Sequence, residues 1–197
     1  MDDAAVPGQP HSWQGVREWE IGLLERRTGH GVEEWNRRVV ESGAPDEESL
    51  RAWLTGQGVD GYPRTLLVME RFGYPDFLLA SADQLLDGQY GKRPALRPIL
   101  DAILALAPEV GDNVSVQVRK TFVTLVSPKR TFAQVKAYAH ERVDLALRLD
   151  GVEPTGRLEP AGSAGNDTLR VKIALTTPDD IDDEVLEWLR RAYRANV

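Results

Sequence analysis

Two stretches of the chain alternate apolar and polar residues and decide its fold: RVDLALRL at residues 142–149 and LRVKIAL at residues 169–175. In both, every second residue is Val, Leu or Ile. Side chains of a β-strand point alternately to the two faces of a sheet, so this period of two predicts two strands with one apolar and one polar face. The polar, solvent-exposed face then collects Arg142, Arg148, Arg170 and Lys172.

Three more strands are predicted before this pair, at residues 114–118, 121–126 and 131–139. Apolar residues at helical spacing precede the strands at 96–104 and follow them at 181–189. Thr177 is a helix cap, followed by Pro178 at the first helical position and Asp180 at the third. The predicted fold class is therefore α+β, with an antiparallel sheet flanked by an N-terminal and a C-terminal helix.

Residues 13–90 show helical spacing instead, and four or five short helices are predicted there. Gly43 and Gly73 are placed to end two of them, whereas Asp46 and Ser81 are placed to cap two others. Four tryptophans lie on the apolar stripes: Trp13, Trp19, Trp35 and Trp53. The first interpretation is that they fill the core of a small helical domain. The second is a platform on which bases or a planar ligand stack.

The predicted organisation is a flexible tail at residues 1–12, a helical domain at residues 13–90 and an α+β domain at residues 91–197. Charge differs between the parts, since residues 1–93 carry a net charge of −6 and residues 94–197 only −1. Residues 114–148 hold seven basic and two acidic residues. A local basic region therefore lies within a chain whose net charge is −7.

The overall composition excludes several classes of protein. The 197 residues include no cysteine, which excludes disulfides, thiolate catalysis and cysteine metal sites. No apolar run reaches the roughly 20 residues that cross a bilayer. The first ten residues lack the basic and apolar regions of a signal peptide. We therefore expect a cytoplasmic protein without a membrane partner, and no pattern sets an oligomeric state.

No nucleophile elbow, phosphate-binding loop or H-E-x-x-H motif is present, so no catalytic residue, cofactor or metal is predicted. The acidic run at residues 179–184 suits a helix start, and a hard-cation site is the alternative. The pair His140 and Glu141 is a solvated turn, or else a general base with an orienting carboxylate.

Two loops also keep two interpretations. The glycine-rich segment 54–61 is a plain interhelical turn, or a turn that offers backbone N–H groups to a phosphate. The long Gly/Pro-rich connection at residues 150–167 is a flexible loop, or a lid. As a lid, Arg157 and residues 162–166 would close over an anion.

Five short motifs resemble a bacterial domain family of unknown function that is loosely labelled a predicted transport protein: VRKTFVTL at 118–125, RTFA at 130–133, RVDL at 142–145, LRLD at 147–150 and WLRRAY at 188–193. The resemblance covers residues 96–193. The pairs Thr28-Gly29, Glu34-Trp35 and Gly61-Tyr62 are similar to a second uncharacterised helical module often found in front of the first. More distantly, the C-terminal part resembles the small α+β fold of YdhG-like and frataxin-like proteins, some of them iron carriers. The resemblance implies the fold and no particular chemistry.

The basic residues lead to a functional hypothesis. We expect a non-enzymatic binding protein that recognises an anionic small ligand or nucleic acid through its basic sheet face. The candidate binding residues are Arg119, Lys120, Arg130, Arg142, Arg148, Arg157, Arg170 and Lys172. The alternatives are a merely solvated face, an enzyme or enzyme accessory acting on a small molecule between the two domains, and a protein–protein interaction module.

Overall fold

The computed structural model describes residues 10–11 and 14–197. It divides into two compact units, residues 13–80 and residues 81–197, the latter joined by Pro10–His11. Apart from Pro10–His11, the predicted tail lies outside the described residues, as does Trp13. None of the described helices has the length and apolar character needed to span a bilayer.

The helical unit consists of α1 (Gln14–Thr28), α2 (Val32–Glu41), α3 (Glu47–Gly56), α4 (Gly61–Phe72) and the short α5 (Asp76–Leu79). Its predicted ends are confirmed. Gly43 and Gly73 have φ angles of 68° and 104°, which glycine adopts without steric strain. The Asp46 carboxylate accepts a hydrogen bond of 2.8 Å from the Ser49 N–H and so caps α3.

The tryptophans of this unit differ in their environments. Trp35 is buried, and its Nε1 donates to Thr28 Oγ1 at 2.8 Å. Trp53 packs edge-on against it. The prediction that Trp19 fills the core is wrong, because half of its surface is exposed and it contacts Tyr62 edge-on. Leu24, which is fully buried, lies five residues later and so about 140° around the helix from Trp19.

The second unit contains one seven-stranded sheet made of β1 (Pro10–His11), β2 (Ser115–Val118), β3 (Val123–Val126), β4 (Thr131–Tyr138), β5 (Arg142–Leu147), β6 (Glu159–Pro160) and β7 (Val171–Leu175). The strand order is β1-β2-β3-β4-β5-β7-β6. All neighbours are antiparallel except β1, which pairs parallel with β2. The predicted antiparallel meander is confirmed.

The helices of this unit are α6 (Ala82–Tyr90), α7 (Arg97–Ala105), α8 (Ala107–Val110) and α9 (Asp183–Arg194). The predicted capping box at Ser81 and Gln84 begins α6. Although the sequence grouped α6 with the helical domain, its Gln89 donates from Nε2 to the Arg119 carbonyl at 2.6 Å. Helices thus precede and follow the sheet, as the α+β prediction stated.

Helix α9 packs against β4, where Tyr193 meets Phe132 edge-on with 5.5 Å between ring centroids. The prediction that Thr177 caps this helix is wrong. Thr177 instead caps a single 3-10 turn at Pro178–Asp180, after which Ile181 leaves the helical region with ψ of 86°. The cap of α9 is Asp182, whose carboxylate accepts from the Val185 N–H at 3.1 Å.

Candidate functional site

The strand register defines the polar face of the sheet. Asp144 of β5 lies opposite Lys136 of β4, and Ala146 lies opposite Lys172 of β7. Residues directly opposite each other share a face, so Arg142, Asp144 and Lys172 lie on one side, as the alternation predicted. The prediction that this face is exposed to solvent is wrong for Lys172 and Asp144, which are only 8% and 2% exposed.

The chain itself covers this part of the face. Residues 159–169, which we call the cover segment, fold back over β5, and Ala146, Ala161 and Leu169 form a small buried apolar cluster. Gln134 Nε2 donates to the Ala164 carbonyl at 2.7 Å, and Lys136 Nζ donates to the Ser163 carbonyl at 3.1 Å. The second part of the connection 150–167, which was predicted as a lid or flexible loop, is thus hydrogen-bonded to the sheet, and it removes Lys172 from water.

Beside the cover segment, Asp144 holds two cations. Its Oδ1 accepts from Arg142 Nε at 2.8 Å and its Oδ2 from Lys172 Nζ at 3.1 Å. The Glu159 carboxylate lies 3.9 Å from the same Nζ. A carboxylate removed from water to this extent is stable only if charge partners and hydrogen bonds replace its hydration. Lys172 is therefore used inside the protein and is not available to a ligand in this conformation.

The side chain of Arg142 is held in position, but not all of its hydrogen-bond donors are used. Its guanidinium carbon lies 4.1 Å from the centroid of the Tyr138 ring, a cation–π contact, and the side chain is 27% exposed. The hydrogen bond that Arg142 donates to Asp144 raises the pKa of Arg142 above its ordinary value. Within the described chain, no acceptor is found for Nη1 or Nη2. These two groups are positioned to donate to a carboxylate or phosphate.

The turn between Tyr138 and Arg142 is strained. Ala139 has a φ of 47°, and among the described residues no other non-glycine residue has a positive φ. Such a conformation costs an alanine roughly 1–2 kcal/mol, so surrounding contacts must hold it. His140 and Glu141 are exposed in this turn, and in the described structure the His140 ring donates no hydrogen bond to a carboxylate. The general-base interpretation of His140 therefore has no orienting group.

The other predicted residues are spread over both ends of the sheet. Arg119 and Lys120 lie in the β2–β3 turn, at the same end as Arg142, and Arg119 Nη2 donates to Gln117 Oε1 at 2.5 Å. Arg130 is exposed in the β3–β4 turn at the opposite end, where Arg148 also lies. The Nε of Arg148 is buried without an acceptor among the described residues.

Arg157 and Arg170 follow separate paths. Arg157, which the lid interpretation places over an anion, is engaged within the protein in this structure: its guanidinium donates to Asp182 at 2.7 Å and to the Asp180 carbonyl at 2.6 Å. It thereby ties the β5–β7 connection to the start of α9. Arg170 is exposed, and its Nε donates to the Asp167 carbonyl at 3.0 Å.

The acidic run before α9 is occupied by local contacts. Asp180 Oδ2 accepts from the Thr176 and Thr177 N–H groups, which lower its pKa, and Asp182 caps the helix. No group of three or more His, Asp or Glu side chains arranged for a metal ion is found where the structure describes them.

Two residues of the site were missed from the sequence. Asp144 lies two residues from Arg142 in the same strand, so strand alternation predicts that the two side chains share a face. The burial of Asp144 could not be predicted from the sequence. Tyr138 pairs with Arg142 across the β4–β5 hairpin, and that register depends on the three-residue turn.

A protein-family model described as a domain of unknown function, DUF5655, matches residues 86–196, more than half of the chain. The match begins within α6, spans the whole sheet except β1, and includes Arg142 and Asp144. No curated protein and no solved structure matches the chain. The distant likeness to YdhG-like and frataxin-like proteins therefore stays a prediction.

Proposed function

This chain belongs to the DUF5655 family, whose function is unknown, and we propose that it is a cytoplasmic binding protein that recognises an anionic group through Arg142. One observation carries the proposal. The guanidinium is held at Nε by the buried Asp144 and on its face by Tyr138, while both Nη groups lack an acceptor in the described structure.

Preorganisation distinguishes this arginine from an ordinary solvated one. A free surface arginine loses roughly 0.5–1.5 kcal/mol of side-chain entropy when a partner immobilises it. Two contacts already restrict Arg142, so less of that entropy remains to be lost on binding. The planar fork of its Nη groups matches the paired oxygens of a carboxylate or phosphate, a geometry that lysine does not reproduce.

The surroundings favour a partner larger than a single anion. Arg119 and Lys120 lie at the same end of the sheet, three strands away from β5, or about 14 Å at the usual strand spacing. An extended polyanion, such as single-stranded nucleic acid or an acidic protein segment, would reach both positions. Asp144, Lys172 and Glu159 are used in ion pairs, and we assign no reaction to this face.

The test is a titration of the full chain with three probes: a labelled single-stranded oligonucleotide, an acidic peptide and inorganic phosphate. At low ionic strength we expect one of the polyanions to bind, and binding to weaken as salt is added. The change Arg142→Gln should lower its affinity about tenfold or more, which corresponds to the loss of a charge-assisted pair of hydrogen bonds. Arg142→Lys should restore only part of it.

The matched control is Arg191→Gln. Arg191 is also stacked on an aromatic ring, that of Trp188, at 5.2 Å, but lies on α9. Its loss changes the net charge by the same amount and should leave the affinity within about twofold. The proposal is wrong if none of the probes binds at low ionic strength, or if Arg142→Gln and Arg191→Gln weaken binding equally.

A further inference from the structure

We infer a second binding site, independent of Arg142, in a cleft at the other end of the sheet, where Arg170 would bind the carboxylate of a small aliphatic acid. The cleft has a volume of about 430 Å³ and is lined by residues 160–162, 166–167 and 169–170. Val171 pairs with Leu147 at the far end of β5, which places the cleft roughly 17 Å along the strands from Arg142.

The lining divides into an apolar part and a single cation. Pro160 supplies an exposed apolar side chain, the mostly buried Ala161 and Leu169 add a small apolar area, and Arg170 is the basic residue among the lining residues. A volume in this range suits a small organic molecule. Asp167 also lines the cleft, and its negative charge would repel a ligand with two or more negative charges. One negative charge on a short apolar body fits best.

Arg170 resembles Arg142 in that its Nε is held, although by a backbone carbonyl instead of a buried carboxylate. Its Nε donates to the Asp167 carbonyl at 3.0 Å, and no acceptor for Nη1 or Nη2 is found among the residues that the structure describes. A guanidinium fixed at Nε presents its two Nη groups together, the geometry that binds both oxygens of a carboxylate.

The walls of the cleft are built before any ligand arrives. Asn166 Oδ1 accepts from the Thr168 and Leu169 N–H groups at 2.9 and 3.0 Å, and the Ala161 N–H donates to the Arg170 carbonyl at 2.8 Å. At Gly165, a Cβ would lie 1.9 Å from the Leu169 carbonyl oxygen, so only glycine allows this close packing. A preformed cleft loses little conformational entropy on binding.

The test is an NMR titration of the uniformly ¹⁵N-labelled full chain. Three probes are used. Isovalerate is an aliphatic carboxylic acid, and valine is an amino acid that carries both a carboxylate and an ammonium group. Isoamylamine has a similar aliphatic chain but lacks the carboxylate. Isovalerate should produce saturable shifts confined to amides of residues 159–171. If valine binds more tightly than isovalerate, the Asp167 carboxylate contacts its ammonium group and an amino acid is the preferred source. Isoamylamine should produce no such shifts.

Variants separate the site from its neighbours. Arg170→Gln should weaken isovalerate at least fivefold, and Asp167→Asn should strengthen it, because a like charge is removed. Arg130→Gln, an exposed arginine at the same end of the sheet, and Arg142→Gln should leave the affinity unchanged. Shifts that do not saturate, or that persist in Arg170→Gln, would overturn the inference. Either result leaves the polyanion titration at Arg142 unaffected, so the two sites fail or succeed separately.

Discussion

At the scale of single residues, Asp144 links stability to the proposed function. Its carboxylate compensates the charge of buried Lys172 and also orients Arg142. Strand alternation placed these three residues on one face, which the register confirms. Alternation carries no information about what lies above that face, and the cover segment makes it an interior charge network.

Replacing Asp144 should therefore cost far more than replacing an exposed acid. In Asp144→Leu, Lys172 keeps its charge in a buried position without its main partner, and we expect a loss of about 3–5 kcal/mol in the free energy of unfolding. The double change Asp144→Leu with Lys172→Met should recover much of it, since no buried charge remains. Urea denaturation of the parent chain, of Asp144→Leu and of the double variant measures these free energies of unfolding.

The control for that series is Glu159→Gln. Glu159 also faces Lys172 but at 3.9 Å and with 56% of its side chain exposed, so its removal should change stability by less than about 1 kcal/mol. Equal losses for Asp144→Leu and Glu159→Gln would show that the pair with Asp144 is no more important than a surface contact.

At the scale of elements, the start of α9 depends on one carboxylate. Asp182 caps the helix through the Val185 N–H and also pairs with Arg157 of the β5–β7 connection. The cap predicted from sequence, Thr177, serves the preceding 3-10 turn instead. Both segments carry valid start signals, and only the backbone break at Ile181 decides which one begins the long helix.

We expect Asp182→Ala to lower the free energy of unfolding by at least about 1 kcal/mol at neutral pH, the usual cost of a lost cap. The hydrogen bond from the Val185 N–H lowers the pKa of Asp182 in the folded state. The stabilisation is therefore complete above the ordinary aspartate pKa of about 3.9 and is lost as pH falls through the lowered value.

Urea melts of Asp182→Ala between pH 7 and pH 2 check this sign. The difference in the free energy of unfolding between Asp182→Ala and the parent chain should become smaller in the acidic range. Asp179→Ala is the control, because Asp179 is exposed in the 3-10 turn and its side chain makes no hydrogen bond or ion pair within the described structure. A difference that is constant with pH would contradict the capping role.

At the scale of the whole molecule, each unit has its own hydrophobic core. In the helical unit, α4 packs against α1, α2 and α3, and fully buried Leu24, Leu50 and Leu66 come from three different helices. The sequence placed the boundary at residue 90, whereas the compact units divide at residue 81. Gln89 and Tyr90 are buried and belong to the second unit.

Residues 13–80 alone should fold, with helical circular dichroism and a cooperative urea transition, since a unit with its own core is stable on its own. Extending the fragment to residue 90 should add little stability. A fragment of residues 13–58, which lacks α4, is the control and should be unfolded. If residues 13–80 show no cooperative transition while residues 13–90 do, the sequence-based boundary is the better one.

The sequence by itself determined what depends on neighbours along the chain: the period of two in the strands, the glycine ends of helices, and the sheet face that Arg142, Asp144 and Lys172 share. Only the tertiary structure decided which of these residues stay available. Arg157 meets a carboxylate 25 positions away, and Lys172 meets one 28 positions away. Trp19 lies outside the core because its position is about 140° around the helix from buried Leu24. Such pairings depend on loop paths and registers, which local patterns do not encode. Of the eight basic residues named from sequence, Arg142 and Arg170 are the two that we propose as binding residues.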